Sequence, residues 1–280
     1  MATTTISNAP AFRLRTGVST RRVGRSVRLA IAPMAVIVAI LAGWEVWVRT
    51  ANIDPTLLPS PSRVASQGWA ARDAIWQNTK VTWKETLVGF TVSLVVAWAL
   101  AIAIDFSNIL RRAMMPLLVA SQTIPMIAIA PLIIIWFGYG LFPKVLVIAV
   151  ATFFPVAVGL IDGFNSTDRE ATNLLRSMGA NRWKQFRYVR LPSALPTFFT
   201  ALRIGITYAV TAAVFAEYVG AKEGIGIYMA LMKNSFRTDL VLAAVAVTAV
   251  SSIILFLLTF AVERAVIPWY FKEKKGRRNT

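Results

Sequence analysis

The sequence predicts an all-α integral membrane protein with six transmembrane helices, and three observations lead there. The 280 residues are 56% hydrophobic with a mean hydropathy of +0.60, too apolar for one soluble domain of this length. The apolar residues gather into six runs near the ~20 residues that a bilayer span requires. The net charge of +17 comes from 30 basic and 13 acidic residues, and the basic ones fall mostly between those runs. That placement reads as a topology signal rather than a nucleic-acid surface. The chain has no Cys and no His, which excludes disulfides, the usual zinc sites, His general bases and thiol nucleophiles. No catalytic residue and no metal site is expected.

Residues 1–28 form a Ser-, Thr- and Arg-rich tail, read as a disordered tail that sets topology or as a transit peptide. The first span covers Leu29–Val48, within a segment 29–50. An outer loop, 51–84, follows. After Pro59-Ser60-Pro61 it carries Ala65, Trp69 and Trp76 at helical spacing, which suggests an amphipathic helix on the outer surface or an irregular loop with interfacial tryptophans. The second span, Leu87–Asp105, repeats small residues every four positions (Gly89, Ser93, Ala97, Ala101), which permits close helix contact within or between subunits. The third, Ala113–Phe137, is interrupted by Pro125 and Pro131, and the fourth, Val145–Ile161, by Pro155. Each proline removes a backbone bond that has to be re-satisfied inside protein or in a wet cavity, either as a pathway-lining kink or as a packing kink. The fifth, Leu195–Tyr218, holds Arg203 about two turns in, expected to snorkel inward, and Glu217 near its outer end, facing a pathway or the interface. Residues 221–237 are apolar but short, which suggests a re-entrant or interfacial segment. The sixth span is Leu240–Ile267, and a basic tail occupies 269–280. Residues 85–268 thus read as a five-helix core. Trp and Tyr near several span ends, such as Trp136 and Tyr139, read as interfacial belts.

Twenty Lys and Arg lie on one side of these spans: the N-tail, Arg111 and Arg112, the loop after the fourth span, and Arg264 with the C-tail. Nine lie on the other side. The positive-inside rule then puts both termini and the loop around Thr167 in the cytoplasm.

That loop, Thr167 to Pro192, is TDREATNLLRSMGANRWKQFRYVRLP. Thr167 and Glu170 have the spacing of a capping box, so a helix is expected to begin there. Ala171, Leu174, Leu175 and Met178 form an apolar stripe at i, i+3, i+4 and i+7. Gly179 is placed to end that helix in a left-handed conformation, and Asn181 to cap a second one. Trp183 and Phe186 share one side of the second helix. Arg182, Lys184, Arg187 and Arg190 can reach lipid phosphates.

The order helix, Gly179, helix, Val189, Leu191-Pro192 resembles the "EAA" loop of permease subunits in binding-protein-dependent ABC importers. The EAA slot falls on Asn173-Leu174-Leu175, so the family's glutamate is missing; Glu170, one turn earlier, is either its substitute or the capping acid. Gln122-Thr123-Ile124-Pro125, Ala130-Pro131-Leu132, Trp136 to Gly140, Phe153-Phe154-Pro155, and Glu217 with Gly224-Ile225-Gly226 resemble permeases for nitrate, sulfonates and taurine, and relatives for riboflavin or thiamine-pyrimidine precursors.

The resemblance implies a type I ABC importer permease fold in a bacterial inner membrane. It implies a homodimer that pairs with an ABC ATPase subunit carrying ATP and magnesium, and with a periplasmic or lipid-anchored solute-binding protein. No cofactor is implied in this chain, which contains no GxxxxGK[ST] loop. The ATPase-coupling residues it implies are Glu170, Ala171, Asn173, Leu174, Leu175, Met178, Gly179, Leu191 and Pro192. The pathway and gate residues are Gln122, Pro125, Pro155, Glu217, Gly224 and Gly226. The alternative is a secondary transporter driven by an ion gradient, which calls for inverted repeats and ionisable residues near the midplane.

Overall fold

A computed structural model describes residues 21–123 and 125–271, and among these all regular structure is helical. Most of the two tails and Ile124 of the third-span motif lie outside the described residues. Among the described residues, five helices are long and apolar enough to cross a bilayer.

α1 (Arg21–Thr50) belongs to a unit of its own, residues 1–52. It tolerates Pro33 in its interior, and Arg49 donates to Glu45 one turn back at 2.6 Å.

The second unit, 53–280, begins with α2 (Pro61–Ala70) and α3 (Arg72–Phe106). Ser60 caps α2 by accepting the Arg63 N–H at 3.4 Å, and Pro61 stands at its first turn, where a missing donor costs nothing. The expected single amphipathic helix is divided: Trp69 lies on α2, and Trp76 on an N-terminal extension of the second span. The helix continues through the more polar residues 72–86, where the Thr79 and Thr82 hydroxyls are satisfied by carbonyls one turn back, at 2.7 and 3.1 Å. α2 is held on the start of α11 by Asp239, which accepts from Arg63 at 3.3 Å and Arg237 at 3.0 Å.

The expected third span is realised as two short helices, α4 (Asn108–Ser121) and α5 (Met126–Phe137). Residues 122 and 123 form a turn, and Pro125, which has no N–H to give, stands just before α5. α6 (Leu141–Asn165) corrects the expectation for the fourth span, because it runs unbroken through Pro155. Ala151, whose carbonyl that proline leaves without its helical donor, lines a cavity instead of the core.

The loop after α6 folds as α7 (Arg169–Ser177) and α8 (Arg182–Gln185). A wide turn at Phe186–Arg190 then joins α8 to α9 (Leu191–Gly220), with the Leu191 N–H donating to Phe186 O five residues back. Pro192 stands in the first turn of α9 and supplies no N–H there. α10 (Ile225–Asn234) is the short apolar segment before α11 (Thr238–Val266).

α6 is the centre, packed most extensively on α3 and α9. The approach is close because small residues stand at the crossings. A Cβ built at Gly89 would lie 2.6 Å from Ile148 Cβ, and one at Gly163 would lie 2.9 Å from Ala194 Cβ. Ser93, Ala97 and Ala101 are buried in the same chain, so the α3 stripe serves packing within the subunit. Arg203 also departs from expectation. Its guanidinium pairs with the buried Glu263 on α11 rather than reaching for the interface, since a partner at the same depth satisfies the charge more fully than a strained side chain.

Candidate functional site

The loop after α6 is built from local signals that work almost as written. Asp168, not Thr167, caps α7: its Oδ1 accepts the Glu170 N–H at 2.8 Å, and the helix starts at Arg169. Thr167 is turned inward instead, only 8% exposed. The capping-box expectation is therefore corrected by one residue: the Asp168 carboxylate meets the orphan donor two residues on, and the Thr167 hydroxyl does not. At the other end, Gly179 has φ +77°, the Gly179 N–H donates to Arg176 O at 3.0 Å, and the Ala180 N–H to Leu175 O at 3.0 Å. These paired bonds close the helix C-terminus around a left-handed glycine. Asn181 Oδ1 then accepts the Lys184 N–H at 2.9 Å and starts α8.

The apolar stripe of α7 is divided. Ala171 and Leu175 are half-buried, while Leu174 is 63% and Met178 75% exposed. Glu170 and Asn173 are exposed, and Leu191 and Pro192 are half-buried at the head of α9. What anchors the loop is aromatic. Phe186 is buried among Phe106 of α3, Phe164 of α6 and Trp183 of α8, with ring centroids 5.4–5.6 Å apart. The Arg190–Asp105 ion pair ties the same corner to α3. α7 thus presents two apolar side chains outward from a rigidly seated support.

A cavity of about 890 Å³ opens among α3, α4, α5, α6 and α9. Gln122 and Pro155 both line it, with Ser93, Ser121 and Tyr208 as its other polar or aromatic-polar members. Pro125 sits exposed at the α4–α5 break.

Glu217, Gly224 and Gly226 lie elsewhere, in a buried polar knot. Glu217 is 0% exposed and its Oε2 accepts the Gly226 N–H at 2.7 Å. Asn78 accepts the Gly224 N–H at 2.9 Å and Thr82 the Ile225 N–H at 3.0 Å. Three orphan donors at the start of α10 are therefore met by side chains of α3 and α9. Gly224 has φ +121°, so an L side chain there would be strained. Beside this knot Lys144 and Glu85 form a buried ion pair between α6 and α3.

The sequence alone does not show that pair, because the apolar run of the fourth span, Val145–Ile161, begins one residue after Lys144 and Glu85 precedes the run of the second. Sequence reasoning also missed the Arg203–Glu263 pair, although two opposite charges inside neighbouring spans are a usable signal. A further overlooked signal is the Gly159–Gly163 spacing at the α6–α9 crossing.

Residues 90–271 match the family described as binding-protein-dependent transport system inner membrane component. The chain is 36% identical to the riboflavin transport system permease protein RibX of Chloroflexus aurantiacus, over 83% of this chain and 88% of the relative. It is 34% identical to the formylaminopyrimidine transport permease protein ThiX of Halalkalibacterium halodurans, over 87% and 98%. Identity is 31% to the taurine transport system permease protein TauC of Escherichia coli, over 88% and 91%. Among solved structures, an amino acid ABC transporter aligns with a TM-score of 0.60 at 15% identity, covering 70% of this chain and 96% of that one. The MetNI methionine transporter in an inward-facing conformation aligns at 0.58 and 20%, covering 71% and 96%. At these identities the structural matches speak for the fold alone.

Proposed function

The chain belongs to the family of inner membrane components of binding-protein-dependent transport systems, the ABC importer permeases, and from that premise we propose how it couples and what it passes. It is a multi-pass inner-membrane permease subunit and not itself an ATPase. In the proposed reading α7 is the element that seats in a groove of the partner ATPase, which binds ATP and magnesium. Both termini and α7 face the cytoplasm, and two copies of the chain line one pathway. A solute-binding protein delivers solute at the opposite face, where α2 and α10 lie.

The observation that carries the coupling role is the pair Leu174 and Met178, two large apolar side chains left exposed on a short helix whose support is locked by aromatic packing. Burying such side chains in a partner is worth about 1.5–3 kcal/mol each. Glu170 stands exposed on the same helix and is free of a capping duty, which favours its use as the loop's docking acid.

The cavity with Gln122 and Pro155 is the proposed pathway. Its polar lining, Ser93, Ser121, Gln122 and Tyr208, is uncharged, and the rest is aliphatic and aromatic. That surface suits a flat, uncharged heteroaromatic solute, of the kind for which two of the relatives are named, better than a sulfonate. Gly224, Gly226 and Glu217 hold the outer end of α9 and are proposed as a structural part of the outer gate.

The test is the ATPase rate of the reconstituted complex in proteoliposomes. It should rise when liganded binding protein is added, since docking favours the state in which the ATPases close. Uptake that persists after ATP depletion, with an ion gradient maintained, would instead show a secondary transporter.

A further inference from the structure

α7 has a second face. Arg169, Thr172, Asn173 and Arg176 repeat at i, i+3, i+4 and i+7, and they line a cleft of about 480 Å³ that Leu174 and Met178 do not enter. The opposite walls are the loop-side ends of α3, α4 and α6, with Phe106, Asn108 and Asn165, and the start of α8.

Five arginines line this cleft: Arg111, Arg169, Arg176, Arg182 and Arg190. Its single acid, Asp105, is already paired with Arg190. Arg111 donates to the neutral side chain of Asn165. Arg169, Arg176 and Arg182 form no ion pair among the described residues. Thr167 lines the same cleft; it is 8% exposed, and its hydroxyl has no hydrogen-bond partner among the described residues. Four uncompensated guanidinium groups around one concavity repel each other, and an unmatched buried hydroxyl costs free energy, so an anion with oxygen acceptors would relieve both.

We propose that this cleft binds a phosphate-bearing anion. Guanidinium forks match phosphate oxygens two at a time, and the Thr167 hydroxyl supplies a further donor. The cleft opens where α3 and α6 end, which is headgroup depth, so the anion is the headgroup of an acidic phospholipid or a soluble phosphate compound. Bound there, it bridges α7 to the ends of three other helices and stiffens the support from which Leu174 and Met178 project. The binding site rests on the cleft alone; its effect on coupling rests on the docking role proposed for α7.

The experiment uses the full chain with its ATPase in nanodiscs of phosphatidylcholine. One arm adds phosphatidylglycerol to the discs, and the other titrates pyrophosphate from solution. The readout is the unfolding midpoint of the permease. A saturable rise is expected in at least one arm, and the arm identifies the source. Arg111→Gln with Arg176→Gln should raise the half-saturating concentration by about tenfold or more, whereas Arg112→Gln, an exposed neighbour of Arg111 that does not line the cleft, should leave it unchanged. The Leu174→Asp chain should keep the anion response even after losing its ATPase, which separates this site from the docking reading. The proposal is overturned by no saturable rise in either arm or by an equal loss in Arg112→Gln. It is also overturned if the double variant sheds the ATPase without changing the anion response, which would make the cleft an ATPase contact.

Discussion

Glu217 on α9 reaches over the turn that follows it and accepts the backbone N–H of Gly226 at 2.7 Å, so one carboxylate at the end of a span fixes the first turn of the next helix. The contact is possible only because residue 226 has no side chain. A Cβ there would meet Glu217 Cβ at 2.7 Å and the Tyr218 nitrogen at 2.8 Å, as well as the Val214 carbonyl.

We predict that Gly226→Ala lowers stability by about 1–3 kcal/mol, the range for forcing an extra carbon into a packed site. It would be measured as a lower unfolding midpoint of the purified complex. An unchanged midpoint would mean that α10 is not seated on Glu217 as described.

The Lys144–Glu85 pair gives a second prediction. Lys144→Met leaves a buried carboxylate without its partner and should cost about 3–5 kcal/mol. Adding Glu85→Gln removes that lone charge, so the double variant should be more stable than Lys144→Met alone. A double-mutant cycle in the unfolding midpoint measures the coupling, and strict additivity would show that the two groups do not interact.

Leu174→Asp changes a residue that is 63% exposed, so the fold should hold, within about 0.5 kcal/mol. Copurification with the ATPase should be lost, because the carboxylate would have to be desolvated in an apolar groove. A complex that survives purification with normal transport would remove α7 from the interface.

Gly179 offers a purely backbone test. It has φ +77°, and nothing lies within 4 Å of where its Cβ would stand. Gly179→Val should therefore act through strain of about 1–2 kcal/mol, misdirecting α8, while Gly179→Asn should be milder because Asn tolerates the left-handed region. Uptake assays on membranes with equal permease content should rank glycine above asparagine above valine. Equal uptake for the two variants would put the loop geometry in doubt.

Local signals in the sequence were sufficient for the helices themselves. Gly179, Asn181 and the stripe from Ala171 to Met178 act within a few residues, so their spacing alone specifies α7 and α8. Hydropathy placed the spans but not their ends: polar residues 72–86 continue α3, and Thr hydroxyls there make contacts with α10, which no window average records. Long-range pairing was the part hidden from view. Arg203 finds Glu263 and Arg190 finds Asp105 only once the spans are side by side. Gln122 and Pro155 share one cavity while Glu217, Gly224 and Gly226 share a buried knot, so residues grouped by family resemblance divide into two places in space.

The wide turn at Phe186–Arg190 has a mechanical consequence. Because it joins α8 to α9 without a loop, residues 182–220 form one helical run of 39 residues, about 58 Å long at ~1.5 Å rise per residue. Such a run works as a lever. Its short arm carries Trp183 and lies beside α7, its fulcrum is the Phe186 cluster with the Arg190–Asp105 tie, and its long arm ends at Glu217. Were the run to pivot there as one body against α6, a small tilt at the short arm would become a larger sweep at the far end, in proportion to the two arm lengths, and would carry the first turn of α10 with it.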